Sequence, residues 1–447
     1  MTEKTYLSSA SAVQDLSNVQ ADSLFSAALK QALDDTGTGQ GSRVLLIPPD
    51  ITRYHSRAGF FTDIAYRELA GRGIAVTVLP ALGTHVALSD AETERMFPGT
   101  PKEVFRAHDW RNDVVELGRI EKEWIQQTSQ NAVDYDWPVQ VNKLLLNGGF
   151  SLIVSLGQVV PHEVTGMANH AKNIFVGTGG KEAIDKSHFA GAAFGMEKMM
   201  GRADTPVRAM LDEGMRRFGS RLPPILYLLT VLSAHCNAET AGQAAGSSLA
   251  LRGLYAGFGR DCFTQAAALS GQLNIDLLDE PVQKAVVYLD PDEFHSTWLG
   301  NKSIYRMRMA MASGGELLVL APGLERFGED PSIDALIRRH GYRPAGIIRE
   351  KVESDTELAN SLSAAAHLIH GSSEGRFTVR YCTGSGLGRE EIESLGFEWG
   401  NINTAIARYD INKLRTGWNI MADGEKIFFV PNPALGLWAT KESFKRL

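Results

Sequence analysis

The stretch SLIVSLGQVVPHEVTGMANHAKNIFVGTGGKEAIDKSH, residues 151–188, decides how this chain is read. SLIVSLGQVV is a mostly apolar run that reads as a buried strand. Pro161 stops it directly before His162, and Asn-His-Ala-Lys172 leads into NIFVGTGG, read as a second short strand. His162, Lys172 and His188 therefore lie beside the ends of apolar runs. In an open α/β sheet, groups just past the carboxyl ends of strands converge on one crevice, where ligands bind. Two imidazoles and an amine gathered there predict chemistry, because packing alone does not call for them.

Working outward, similar runs ending in turn residues recur: RVLLIPPD (43–50), IAVTVLPALGTH (74–85), PILYLLTVL (224–232), KAVVYLDPD (284–292), ELLVLAPG (316–323) and RFTVRYCTG (376–384). Amphipathic segments of helical length lie between many of them, such as SLFSAALKQALDD (23–35), GFFTDIAYRELAGRG (59–73) and SIDALIRRHG (332–341). Alternation of this kind predicts an α/β fold with largely parallel sheets. A chain of 447 residues exceeds one hydrophobic core, so two domains are expected. We place them at 1–280 and 281–414, with 415–447, which contains IFFVPNPALGLW, returning to the first. The active site is expected in the crevice between the domains.

Composition narrows the function classes. The chain is 44% hydrophobic and 22% charged, as in an ordinary globular protein, with net charge −7 and pI near 5.9. That balance disfavours nucleic-acid and acidic-membrane partners. The longest apolar run, ILYLLTVLSA (225–234), is shorter than the roughly 20 residues that span a bilayer. The N-terminus shows no signal-peptide pattern, so a cytoplasmic location is expected. Cys236, Cys262 and Cys382 are too far apart for a metal motif and odd in number, and read as reduced thiols.

Several residues could carry chemistry. Asp50 and Arg53, just past the first apolar run, suit a cationic ring or a carboxylate, and equally form a local turn pair. His85 ends the second run, before a helix start marked by Ser89 and Glu92. With His162 it could supply an acid on one side of a substrate and a base on the other. Lys172 sits among small and apolar residues, a setting for a nucleophile or a covalent attachment point. His188 is read at the start of a helix, held rigidly enough to ligate a metal. Lys302 also opens a helix, where a positive charge opposes the dipole and suggests a ligand. His108 reads as structural, and GTGGKE (177–182) and GSGLG (384–388) as turns that match no nucleotide fingerprint.

Taken in order, Asp50-Ile-Thr-Arg53, Gly83-Thr84-His85, Pro161-His162, Gly166, Lys172 and His188 resemble the lactate racemase family, whose cofactor is a nickel-pincer nucleotide. His162 and Lys172 are ten positions apart and Lys172 and His188 sixteen, spacings that fit the family pattern. The resemblance is strongest over 43–190 and makes the N-terminal domain the cofactor-binding one. It implies that Lys172 tethers the cofactor, His188 ligates nickel, and His85 and His162 are the acid/base pair. It also implies that Asp50 and Arg53 contact the nucleotide, and that Lys302 holds the substrate carboxylate. The implied activity is isomerase chemistry: a racemase or epimerase inverts Cα of a 2-hydroxy acid by reversible hydride transfer. The implied partners are a small-molecule 2-hydroxy acid and cofactor-synthesis proteins.

Two departures bear on the substrate. Family members carry Ser-Gly-Gly before the lysine, whereas this chain has Ala168-Asn169-His170-Ala171, and no glutamine lies in Trp298-Leu299-Gly300-Asn301 before Lys302. Asn169 and His170 are expected to add polar bulk to the pocket, which favours a larger acid such as a sugar acid. Two other classes stand beside this reading. One is a zinc-dependent hydrolase or lyase using His85, His162 and His188; the other is a catalytically silent sugar-acid binding protein.

Overall fold

The structure is a computed structural model in which residues 3–233, 249–434 and 436–445 are described. Cys236 lies outside the described residues. The chain divides into two compact units, one built from 3–190, 199–233 and 249–273, the other from 191–198, 274–434 and 436–445.

The first unit holds a six-stranded sheet in the order Lys4–Ala10, Ala250–Phe258, Ile225–Ser233, Leu152–Gln158, Arg43–Ile47, Ala75–Val78. Its last four strands run parallel and the first two join antiparallel. Leu152–Gln158 is buried along its whole length, as an internal parallel strand must be. It pairs with Arg43–Ile47 on one side (Ser155 opposite Ile47) and Ile225–Ser233 on the other (Gln158 opposite Thr230). Val44, Leu46, Val154 and Leu156 pack with Phe25, Leu29, Phe61 and Ile64 from the helices Asn18–Thr36 and Ala58–Ala70. A Ser17–Gln20 capping box starts the first helix, and the expected Ser89–Glu92 box starts Asp90–Met96.

Two expectations in the opening stretch are corrected. NIFVGTGG is not a strand: Ala171–Phe175 is a short helix followed by a turn. Asn169 and His170 take positive φ and turn the chain, and Asn173 Nδ2 reaches back to Ile47 O (3.2 Å) and Ser155 Oγ (3.1 Å). Short apolar runs do not distinguish helix from strand, and here tertiary contacts choose. The next helix is Lys181–Phe194, so His188 sits in its second half and not at its start.

The second unit holds another six-stranded sheet, ordered Glu398–Asn401, Thr378–Thr383, Met311–Ala321, Val282–Tyr288, Lys426–Val430, Gly417–Ile420, with only the last pair antiparallel. The expected return of 415–447 to the first domain is corrected. Ile427 and Phe429 pack with Val286, Leu318 and Leu320, and Lys426–Val430 extends the second sheet beside Val282–Tyr288. The strand Ile275–Leu278 pairs with Leu437–Thr440, which draws the start of this unit back to residue 274. Among the described residues no helix is long and apolar enough to cross a membrane.

Candidate active site

Asp50 follows the strand Arg43–Ile47 and caps the short 3-10 turn Ile51–Ser56. Its Oδ1 accepts from Thr52 N (3.0 Å) and Thr52 Oγ1 (2.5 Å), and its Oδ2 accepts from His85 Nδ1. Burial by itself would raise this carboxyl, but His85, Thr52 and Arg53 outweigh it and hold the group down to about 2. Both oxygens of the ionised carboxylate are therefore engaged within the protein. The side chain of His85 is 44% exposed where that of Asp50 is 6%, so the acid anchors a ring that remains reachable.

His162 stands on a two-stranded hairpin, Pro161–His162 against Gly166–Met167. Gly166 has φ of 79°, and a Cβ there would lie 2.1 Å from Arg202 O, so the hairpin closes only with glycine. His162 Nδ1 accepts from Val164 N at 3.1 Å. Burial pushes the imidazole well below its ordinary value; Lys172, Arg53 and His188 push the same way, while Glu163 opposes them. Lys172, the second residue of the short helix, has its amine pulled down to about 8 by its enclosure and by Arg53. His188 Nδ1 bonds Ile184 O at 2.7 Å, and its enclosure also lowers its pKa. Lys172, His188 and Arg53 all act electrostatically on His162, so the first unit gathers these predicted residues into one cluster with the Asp50–His85 pair.

Glu163 was not singled out from sequence. Its charge acts on His162, Lys172 and His188 alike, and its Oε2 lies 3.9 Å from His162 Nδ1. Its place beside His162 at a strand end was the available signal.

The expected effect of Asn169 and His170 on the pocket is corrected. His170 is 4% exposed and lies against Tyr227 (4.1 Å between ring centroids) and Phe263 (5.2 Å). Its Nε2 bonds Gly259 O at 3.0 Å. Asn169 Oδ1 accepts from His170 N at 2.7 Å, and its Nδ2 fills the place a Cβ on Gly157 would take. Behind them the buried Arg208 donates to Met167 O (2.5 Å) and Asn169 O (3.1 Å). Both side chains thus turn into the core and lock the lysine loop from behind.

His108 is buried between Gly179 O (2.9 Å) and Asn142 Nδ2 (3.0 Å), a satisfied structural histidine. Lys302 belongs to the second unit, where it opens the helix Lys302–Met307 with Nζ 5.6 Å from the Phe294 ring centroid. GSGLG is a turn leading to the helix Arg389–Ser394, as expected. Cys262 and Cys382 are buried free thiols. Among the described residues no group of three or more His, Cys, Asp or Glu is disposed to hold a metal.

Comparison with known proteins agrees with this picture. The family model of the lactate racemase N-terminal domain matches residues 5–200. Among solved structures, the chain is similar to a Thermotoga maritima protein with TM-score 0.77 and 22% identity, covering 96% of this chain and 100% of that one. It is also similar to the lactate racemase apoprotein from Thermoanaerobacterium thermosaccharolyticum, with TM-score 0.64 and 15% identity, covering 91% and 88%. At these identities the structural likeness speaks for the fold. No curated protein sequence matches the chain. Residues 5–200 thus match the model of the lactate racemase N-terminal domain, within an α/β chain of two compact units with largely parallel sheets.

Proposed function

We propose that this protein is an isomerase that inverts the Cα of a 2-hydroxy acid, using a nickel-pincer nucleotide attached at Lys172. The observation that carries the reading is the cluster itself: an amine lowered to about 8 beside two enclosed imidazoles and an Asp-anchored third.

The residues fit the group. An amine lowered to about 8 keeps a neutral fraction of about one in ten near pH 7, far above that of an ordinary lysine, and so can serve as an attachment point. His188 donates Nδ1–H to Ile184 O, which leaves Nε2 as a metal-binding lone pair in a fixed direction. A single imidazole suffices where the remaining donors come from the cofactor, which accords with the lack of a three-residue metal cluster among the described residues. When bound, such a group supplies an acceptor and donor of hydride for the Cα–H, a bond too weakly acidic for imidazole alone.

The chain supplies the rest. His85 and His162 manage the proton of the substrate hydroxyl, and Asp50 serves His85 rather than the nucleotide, since both its oxygens are taken. Arg53, acting on Lys172 and His162, provides positive charge for an anionic ligand. Asn169 and His170 turn inward and add no polar bulk to the pocket, so the substrate class is a 2-hydroxy acid without a call for a larger one.

The test is intact mass after co-expression with cofactor-synthesis proteins. An adduct is expected on the wild type and absent from Lys172→Ala, and the loaded protein is expected to invert a member of a panel of enantiopure 2-hydroxy acids and aldonates. An unmodified, inactive wild type overturns the proposal.

A further inference from the structure

Lys172 and His85 stand on different segments, and one backbone bond joins those segments. The short helix bearing Lys172 ends in a turn where Val176 N and Gly177 N both donate to Lys172 O, at 2.9 and 3.0 Å. Gly177 O in turn accepts from Gly83 N at 2.9 Å, two residues before His85. The approach is close. A Cβ on Gly177 would lie 2.6 Å from Ala81 Cβ and 2.4 Å from Asn173 O, so only glycine fits. The far end of the same turn is held by His108, whose Nε2 donates to Gly179 O at 2.9 Å.

Each group in this brace has one possible role. Asn142 Oδ1 accepts from Leu144 N (2.9 Å) at the start of the helix Lys143–Asn147, which turns Nδ2 toward His108 Nδ1 (3.0 Å). An amide nitrogen only donates, so Nδ1 is bare and the ring hydrogen is on Nε2, facing a carbonyl that only accepts. Burial lowers the pKa of the ring, against the Gly179 bond, Asp109 and Asp113, and so favours the neutral form that these bonds require. We infer that His108 is a positioning residue: through the turn at 177–179 it holds the Lys172 helix and the His85 segment in one register.

His108 is 4% exposed and both its ring nitrogens are engaged, so it acts on the site only through its neighbours. On the His85 side the backbone is also tied at Ala81 N to Pro48 O (2.7 Å) and at His85 N to Leu82 O (3.0 Å). Neither bond reaches the Lys172 turn, whereas Gly83 N to Gly177 O does. Register between the two segments matters because a misplacement of about 1 Å can cost on the order of 10²-fold in rate. This inference deepens the proposed function and rests on it for the roles of Lys172 and His85; the brace itself does not.

The test reads amide hydrogen exchange by mass spectrometry on the full chain without cofactor, in peptides covering 79–86, 106–112, 152–158 and 171–180. In His108→Leu, exchange in 79–86 and 171–180 is expected to speed about tenfold, with 152–158 unchanged. His108→Gln, whose amide still donates to Gly179 O, is expected to bring both back to within about threefold of the wild type. Loosening confined to 106–112, or equal loosening in the two variants, overturns the inference. Should His108→Leu not fold, Asn142→Ser takes its place, since serine keeps a capping oxygen and removes only the donor to His108. The same two peptides are then expected to loosen about threefold, and no change in them overturns the inference. In the loaded enzyme, His108→Leu is expected to lower kcat on the order of tenfold with KM nearly unchanged. An unaltered kcat in a loosened protein overturns the link to the site. A wild type that inverts no 2-hydroxy acid strikes the functional proposal instead, and the exchange rates still decide the brace.

Discussion

The two sides of the candidate site are built on different principles. On one side His85 stands on an exposed turn, held in register by one carboxylate and by His85 N to Leu82 O (3.0 Å). On the other, Lys172 stands on a short helix whose leading turn is fixed from within by Arg208, by the His170 ring against Tyr227 and Phe263, and by Asn169 over Gly157. The first side has few contacts to lose and one whose loss changes a ring's protonation. The second has many, and their loss is felt first as stability. Chemical tuning and mechanical rigidity are thus placed on separate segments of one sheet's edge.

Substitutions can pull the two sides apart. The largest effect is expected from Asp50→Asn on the loaded enzyme. An amide permits the wrong tautomer of His85, so kcat should fall on the order of 10³-fold with little change in melting temperature. Comparable losses of kcat and stability would erase the contrast. Next is Arg208→Leu, which leaves Met167 O and Asn169 O without their donor. It should cost about 2–4 kcal/mol in chemical denaturation, with the His85 tautomer unchanged. The smallest effect concerns pH. Burial and the nearby Arg208 hold His170 at about 3, against an ordinary histidine near 6.5. The unfolded chain takes up this proton as pH falls through about 6.5, while the folded chain resists until about 3. Stability should therefore decline across that window, and His170→Asn should flatten melting temperature against pH between about 7 and 4. An unchanged slope would take His170 out of the lock.

The legible part of the fold was its rhythm. Arg43–Ile47, Leu152–Gln158 and Ile225–Ser233 were visible because internal parallel strands are mostly apolar. NIFVGTGG misled for the same reason, since its apolar residues pack equally well on one turn of helix. IFFVPNPALGLW was seen as strand, but which sheet it joins depends on partners far off in sequence, such as Ala285–Val287. His85, His162, Lys172 and His188 could be picked out as titratable groups at strand ends or against an apolar helix face. Asn169 and His170 could be seen as unusual, but not which way they point, because that depends on the aromatic slot formed by Tyr227 and Phe263.

The sequence by itself determined which chemical groups are available, the alternation of strand and helix, and the ordered motif that matches the racemase domain, because these depend on residue type and local spacing. Only the tertiary structure decided that Asp50 bonds His85 and that Glu163 joins the cluster. The partner of a histidine ring nitrogen can be a backbone N–H two residues away or a carboxylate thirty-five residues away, and only folding brings the second within reach.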